Sequence, residues 1–161
     1  MTARFGIGFD AHRLVEGRRL VLGGVEIAHE RGLEGHSDAD VLVHAVIDAL
    51  LGAAGLGDIG LHFPDDDERW RDADSLDLLR RVSGLLDDGG LTVVHVDATV
   101  LAEAPKVSPH RDAMRAALAD ALGIEDGAVN VKATRGEGMG FVGRQEGIAA
   151  LAVATVEGAV V

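Results

Sequence analysis

Cysteine is absent from the 161-residue chain, which excludes a disulfide scaffold and any thiolate zinc site. The same absence suits a reducing cytosol without proving it, and the expected location is the cytoplasm, of bacterial type. Basic residues are scarce: 15 Lys plus Arg stand against 27 Asp plus Glu, a formal charge of −12. Such an excess of acid repels nucleic acid and anionic membranes at long range. An anionic substrate would therefore have to be met locally, by metal ions, backbone N–H groups or a few placed bases. No amino-terminal segment joins a basic start to an apolar run of the signal-peptide kind. The one long apolar stretch, IAALAVATVEGAVV, is shorter than the ~20 residues of a bilayer span and contains Glu157. It reads as a buried strand. Repeats, linkers and low-complexity segments are missing too, and the length suits one domain over 1–161 with its own core.

What is present falls into short periodic blocks. RFGIGF and RLVLGGVEI predict a strand followed by a hairpin turning at Gly23-Gly24. DVLVHAVIDALLGAAG carries a helical apolar stripe that stops at Gly55 and sets Asp40, His44 and Asp48 together on the opposite face. The Gly- and Asp-rich GLGDIGLHFPDDDERWRDAD reads as a long loop. Then comes a helix with Ser75 as its cap and a stop near Gly89. LTVVHVDATVLAE alternates, placing Val94, Val96, Ala98 and Val100 on one face of a strand. SPHRDAMRAALADALG is a helix with Ser108 capping, Pro109 at its first position and Gly123 closing it. AVNVKAT and the apolar tail supply two last strands. The expected fold is α/β (α+β): a mixed β-sheet with about three helices packed on one face.

Side chains two apart on a strand share a side, so Asp10 and His12 in GFDAHR converge on one object. With His44 they form a mixed carboxylate–imidazole set suited to zinc, with a fourth position open. Spacing alone leaves the alternative standing, in which Asp10 ends a strand and the histidines are ordinary polar groups. Asp40 and Asp48 read equally as partners of an imidazole or as a solvated helix face. GLEGHSDAD before the first helix offers an anion site or simple capping by Ser37 or Asp38. GLGDIG has phosphate-loop glycine density but fits neither the P-loop nor the dinucleotide fingerprint. FPDDDE is an acidic lid or a solvated charge run. VKATRGEGMGFVGRQEG carries Thr134, Glu137 and Arg144, the groups a magnesium diphosphate would use.

Taken in order, G-F-D-x-H, G-H-S-D-x-D, H-A-x-x-D-A-L-L-G-A-A, G-D-I-G-x-x-F-P-D, A-P-K, V-x-V-K-A-T and G-F-x-G-R-x-E-G span nearly the whole chain. This series closely resembles the 2-C-methyl-D-erythritol 2,4-cyclodiphosphate synthase family. The resemblance implies a phosphorus–oxygen lyase of the non-mevalonate isoprenoid route. Its substrate is 4-diphosphocytidyl-2-C-methyl-D-erythritol 2-phosphate, whose 2-phosphate attacks the β-phosphorus and expels CMP. It implies zinc, or another divalent transition metal, on Asp10, His12 and His44, and magnesium or manganese on Glu137. By the same resemblance Ala104, Pro105, Lys106, Ala133 and Thr134 form the cytidine and diphosphate pocket. His36, Ser37, Asp58, Gly60, Phe63 and Asp65 take the methylerythritol phosphate side. Phe141 and Arg144 line the central cavity of a homotrimer, a place for an isoprenoid diphosphate, with active sites between subunits.

Cyclisation of a tethered phosphate needs no protein nucleophile, which fits the missing thiol and the lack of a Ser-His-Asp set. Two departures stand out. Arg135 occupies the place of a family threonine, and Val107 and Ser108 are smaller than the usual apolar pair after A-P-K. A metal-dependent hydrolase and a non-catalytic binding protein for isoprenoid diphosphates are the other classes these residues would serve.

Overall fold

The computed structural model describes residues 1–159, so the expected strand character of Val160 and Val161 lies outside the described residues. The chain runs β1 (Thr2–Val15), β2 (Leu20–Leu22), β3 (Val25–Ile27), β4 (Gly32–Leu33), α1 (Val41–Ala54), α2 (Ile59–His62) and α3 (Ser75–Asp88). It continues through β5 (Leu91–Leu101), α4 (Arg111–Leu122), β6 (Val129–Thr134), α5 (Gly140–Gly143) and β7 (Gly147–Gly158). Five strands form a mixed sheet in the order β4-β1-β7-β5-β6. Among the described residues only β5 and β6 pair in parallel, with α4 in the crossover between them. The hairpin β2–β3 stands apart from the sheet and turns through Gly23 and Gly24, both at positive φ, the geometry of a two-residue primed turn.

The long helices α1, α3 and α4 cover one face, as the patterning predicts. Helix α1 is buried on almost every side, since it lies between the sheet and α3. Its Leu and Val side chains each contribute about 1.5–3 kcal/mol on burial. The opposite face of β1 and β7 is bare: Phe5, Ile7 and Phe9 are 70%, 73% and 55% exposed, and Leu151 and Val153 beside them are also open. The tail strand β7 is therefore central in the sheet but buried on one face only.

Several local expectations need correction. Asp74, not Ser75, caps α3, its side chain accepting from the Leu76 N–H. Ser75 is the first helical residue, and its hydroxyl is buried elsewhere. Ser108 caps nothing: Ser108–His110 forms a single 3₁₀ turn and α4 begins at Arg111, although Gly123 does close it at φ 65°. A register shift between Val93 and His95 breaks the alternation of β5, so Val93 points inward and Val94 outward. The long loop after α1 contains the short helix α2, capped by Asp58, and a 3₁₀ turn at Glu68–Trp70 capped by Asp67.

Candidate active site

The period of β1 explains how the first cluster is built. Gly6, Gly8, Asp10 and His12 share the face beneath α1. A Cβ on Gly6 would lie 1.9 Å from the Ala49 carbonyl oxygen, and one on Gly8 1.9 Å from that of Ala45. The two glycines thus let the helix backbone rest directly on the strand. Where they end, the strand offers a carboxylate and an imidazole, and the helix offers His44. Asp10 Oδ2 lies 2.9 Å from His12 Nε2 and 3.1 Å from His44 Nδ1, and the two imidazole nitrogens are 3.4 Å apart.

The outer nitrogens of both rings are occupied. His12 Nδ1 donates to the Glu34 carbonyl at 2.8 Å, which leaves its Nε2 lone pair facing inward. His44 Nε2 meets Ser75 Oγ at 2.8 Å and Ser37 Oγ at 3.2 Å. Ser75 in turn gives its hydroxyl proton to Asp38, so it accepts from His44 and leaves the Nδ1 lone pair facing Asp10. Three lone-pair donors aimed at one point require a proton or cation between them. Their spacings match the edges, about 3.3 Å, of a tetrahedron with ligand distances near 2.0–2.1 Å. The donor set therefore fits a divalent transition metal with an open position, and these residues form a candidate metal site.

Without a cation the proton takes that place. Burial would raise the Asp10 carboxyl, but hydrogen bonds and charge from His12 and His44 win and draw it down to about 2. Burial would lower His12, yet its bond to Asp10 raises it above the ordinary imidazole value.

Asp40 and Asp48 hold no imidazole. Asp40 is fully buried and accepts the N–H groups of Gly23, Gly24 and Val43 at 2.9, 2.7 and 3.1 Å, which ties the hairpin to the start of α1. Burial, helped by the charge of Asp38, pushes it up to about 6 against those three bonds. Asp48 accepts from the Ile59 N–H at 2.7 Å and so anchors α2 beside the cluster. Capping of α1 falls to Asp40, which leaves Ser37 and Asp38 free to hold His44 and Ser75.

Beside the cluster opens a cavity of about 590 Å³. Its wall gathers His36, Ser37, Gly60, Phe63 and Asp65 with Asp10, His12 and His44; Asp58 stands just outside, capping α2. His36 Nε2 donates to the Asp67 carbonyl at 2.8 Å, so the acidic segment is folded against the cavity. Phe63 meets Trp70 edge-on at 5.0 Å, and the Trp70 ring lies under the Arg81 guanidinium at 5.3 Å. Sequence reasoning missed Gly35, Trp70 and Ser75. Gly35 fits because a Cβ there would lie 2.9 Å from the Ala39 Cβ and 3.2 Å from the His12 ring. Ser75 had one signal, an extra polar residue after a segment, DAD, already able to cap the helix.

A second cavity, about 440 Å³, sits at the carboxyl ends of β5 and β6. It brings together Ala104, Pro105, Lys106, Ala133 and Thr134, and adds Glu103, Arg111 and Arg135, of which the sequence motifs single out only Arg135. A third, about 230 Å³, holds Phe141 with Ala11, Arg13 and Glu146, and Arg144 pairs with Glu146 at 3.6 Å. Glu137 stands exposed at φ 53° and lines none of the three.

Sheet, cluster and cavities define an α/β protein with a candidate metal site. The YgbB family model matches residues 3–157, and the chain belongs to that family. It is 61% identical over 156 residues to the 2-C-methyl-D-erythritol 2,4-cyclodiphosphate synthase of Salinibacter ruber, covering 97% of this chain and 99% of that one. It is 63% identical over 153 residues to the synthase of the same name from Symbiobacterium thermophilum, covering 95% and 98%. A solved 2C-methyl-D-erythritol-2,4-cyclodiphosphate synthase, described as its CDP-bound form, superposes with TM-score 0.87 at 37% identity over 96% of this chain and all of that one. Among the described residues no helix is long and apolar enough to cross a membrane.

Proposed function

We infer that the chain closes 4-diphosphocytidyl-2-C-methyl-D-erythritol 2-phosphate into the 2,4-cyclodiphosphate, releasing CMP, as a phosphorus–oxygen lyase of the non-mevalonate route to isoprenoid precursors. The observation that carries this reading is the convergence of Asp10, His12 and His44 at a cavity walled by the G-H-S-D and G-D-I-G-x-x-F-P-D segments. The chain has that arrangement while sharing 61% identity over 97% of its length with a protein named for the synthase.

In this reading a bond forms between a 2-phosphate oxygen and the β-phosphorus, and the bond from the β-phosphorus to the CMP oxygen breaks. Asp10, His12 and His44 would hold zinc or another divalent transition metal, and Glu137, exposed on the loop after β6, would serve magnesium or manganese. Such cations would supply charge neutralisation at the phosphates. The chain's own work is positioning, which converts a loose encounter into an intramolecular one. His36, Ser37, Asp58, Gly60, Phe63 and Asp65 receive the methylerythritol phosphate. Ala104, Pro105, Lys106, Ala133 and Thr134 receive the cytidine and its diphosphate, a reading that the CDP named with the solved relative supports.

The whole chain, 1–161, acts as one catalytic domain, and copies assemble into a cytoplasmic homotrimer with active sites between them. The bare stripe of Phe5, Ile7, Phe9, Leu151 and Val153 supports assembly, since an uncovered sheet face of this kind calls for a partner. Phe141 and Arg144 then face the central cavity, where an isoprenoid diphosphate is accommodated.

The test is to incubate the protein with the cytidyl substrate, with and without chelator, and follow CMP and the cyclic product together. His44→Ala is expected to lose bound zinc and at least about a thousandfold in rate, roughly 4 kcal/mol of barrier, while remaining folded. A mainly linear product would overturn the cyclase reading. Full activity in chelator, with no divalent metal bound, would overturn the metal assignment.

A further inference from the structure

The second cavity carries a charge pattern at odds with the molecule around it. Lys106, Arg111 and Arg135 lie in its wall against one carboxylate, Glu103, in a chain whose formal charge is −12. The arrangement of Glu103 is specific. Its side chain is only 11% exposed, and its two oxygens are divided: Oε2 accepts the Gly136 N–H at 2.8 Å and Oε1 accepts from Arg135 Nη2 at 3.1 Å. Those bonds hold the Glu103 carboxyl below its ordinary range against the opposing effect of burial. The carboxylate therefore clamps the start of the loop after β6 and one nitrogen of the guanidinium.

The rest of that guanidinium is uncommitted. Arg135 has a side chain 63% exposed, and among the described residues Glu103 is its one acceptor. With its Arg135 end open to solvent, a pair of this kind adds little to stability. What it does is orient: a planar fork fixed at one nitrogen presents its remaining N–H groups in a set direction, the geometry that suits phosphate oxygens. Arg135 follows Thr134, which pairs with Leu101 at the end of β5, so the fork stands where the backbone of both parallel strands runs out into the cavity.

We propose that Arg135 contacts the distal phosphate of a nucleoside diphosphate in this cavity and makes the chain discriminate diphosphate from monophosphate, with Glu103 as its positioning residue. This rests on the cytidine-pocket reading above. Its consequence for turnover is direct: the substrate carries the diphosphate and the leaving nucleotide does not, so a grip that needs the second phosphate is lost when CMP forms.

The experiment is calorimetric titration of the full chain with CDP and with CMP in magnesium buffer, for the wild type, Arg135→Ala, Glu103→Ala and the double variant, each checked for folding by circular dichroism. CDP affinity is expected to fall about tenfold in Arg135→Ala while CMP affinity moves less than about twofold. Glu103→Ala should lose the same preference, and the double variant should be no worse than Arg135→Ala, because the two act through one contact. Should Glu103→Ala disturb the loop, Arg135→Lys decides: it keeps the charge without the fork and should lose most of the preference. A CDP-to-CMP ratio unchanged by Arg135→Ala overturns this proposal and leaves the pocket reading standing. A wild-type chain that binds neither nucleotide overturns both.

Discussion

The two faces of β1 do opposite things with the same fourteen residues. On one face Gly6 and Gly8 remove every side-chain atom, the helix α1 settles onto the backbone, and Asp10 and His12 emerge where His44 comes down to meet them. On the other, Phe5, Ile7 and Phe9 stand bare in a row. The contrast teaches that the glycines belong to the candidate metal site as much as Asp10, His12 and His44 do. Convergence of a strand and a helix on one atom-sized point demands a close approach, and only a residue without a Cβ permits it. The aromatic and aliphatic face needs no such accuracy, since burying area against a partner is non-directional.

The largest expected effect breaks the glycine face. Gly8→Ala sets a Cβ 1.9 Å from the Ala45 oxygen and 2.8 Å from the Ala49 nitrogen, both backbone atoms of a buried helix that cannot shift locally. Stability should fall by about 3 kcal/mol or more in urea unfolding, and divalent-metal affinity should fall with it because His44 is carried away. Native stability with intact metal binding would show that the close approach is not what positions His44. A smaller effect is expected from Ile7→Glu on the opposite face. The charge should dissociate the proposed assembly in sedimentation while leaving circular dichroism and metal binding of the separated chain unchanged, since an exposed position moves folding by about 0.5 kcal/mol or less. An undissociated assembly would mean that this face is not the contact.

Acidity probes the cluster without changing a residue. His12 is raised by Asp10, so in the absence of metal its pairing contributes stability that is full below an unfolded value near 6.5 and is lost as pH rises through the folded value. Asp10, lowered to about 2, contributes stability present above about 4 and lost as pH falls toward 2. The metal-free chain should therefore be stabilised by this pair most fully between roughly pH 4 and 6.5. Metal binding runs the other way, because the His12 proton must leave. Affinity should drop about tenfold per pH unit once His12 is protonated, and Asp10, still ionised, should add no further steepness above about pH 4. A competition titration with a chromophoric chelator measures the slope; a flat profile from pH 5 to 8 would remove His12 from the ligand set.

How much of this was legible beforehand follows the range of each interaction. Asp10 and His12 sharing a side is a local consequence of strand period, and the stripe and stop of α1 are equally local, so both could be read directly. The hairpin at Gly23-Gly24 belongs to the same class. Bringing His44 to them is a tertiary fact set by Gly6 and Gly8, and those glycines are visible in RFGIGF without announcing what they admit. The polar residues around His44 are ambiguous in the sequence for a related reason. Ser75, Asp40 and Asp38 all have cap-forming side chains, and capping competes with long-range hydrogen bonding for the same atoms. Only the fold decides that Asp74 and Asp40 cap while Ser75 holds an imidazole and Asp38 holds Ser75. The inverted phase at Val93 and Val94 depends on a bulge, which adds a residue without leaving a mark in the apolar pattern.

The smallest predicted effect is the control that sharpens the whole comparison. Gly52 lies in α1, on the same helix that Gly6 and Gly8 admit, yet a Cβ built on it meets only the Gly6 Cα, at an ordinary 4.0 Å. Its surroundings are open, and its backbone is helical with no positive φ to protect. Glycine within a helix costs about 0.5–1 kcal/mol relative to alanine, through the freedom it gives the unfolded chain. Gly52→Ala should therefore raise stability by about that amount, with metal affinity and rate unchanged. The same substitution thus changes sign between two glycines that differ in what lies above the missing Cβ. If Gly52→Ala were as damaging as Gly8→Ala, then α1 would be intolerant of any added atom, and the case for a close approach confined to β1 would fall.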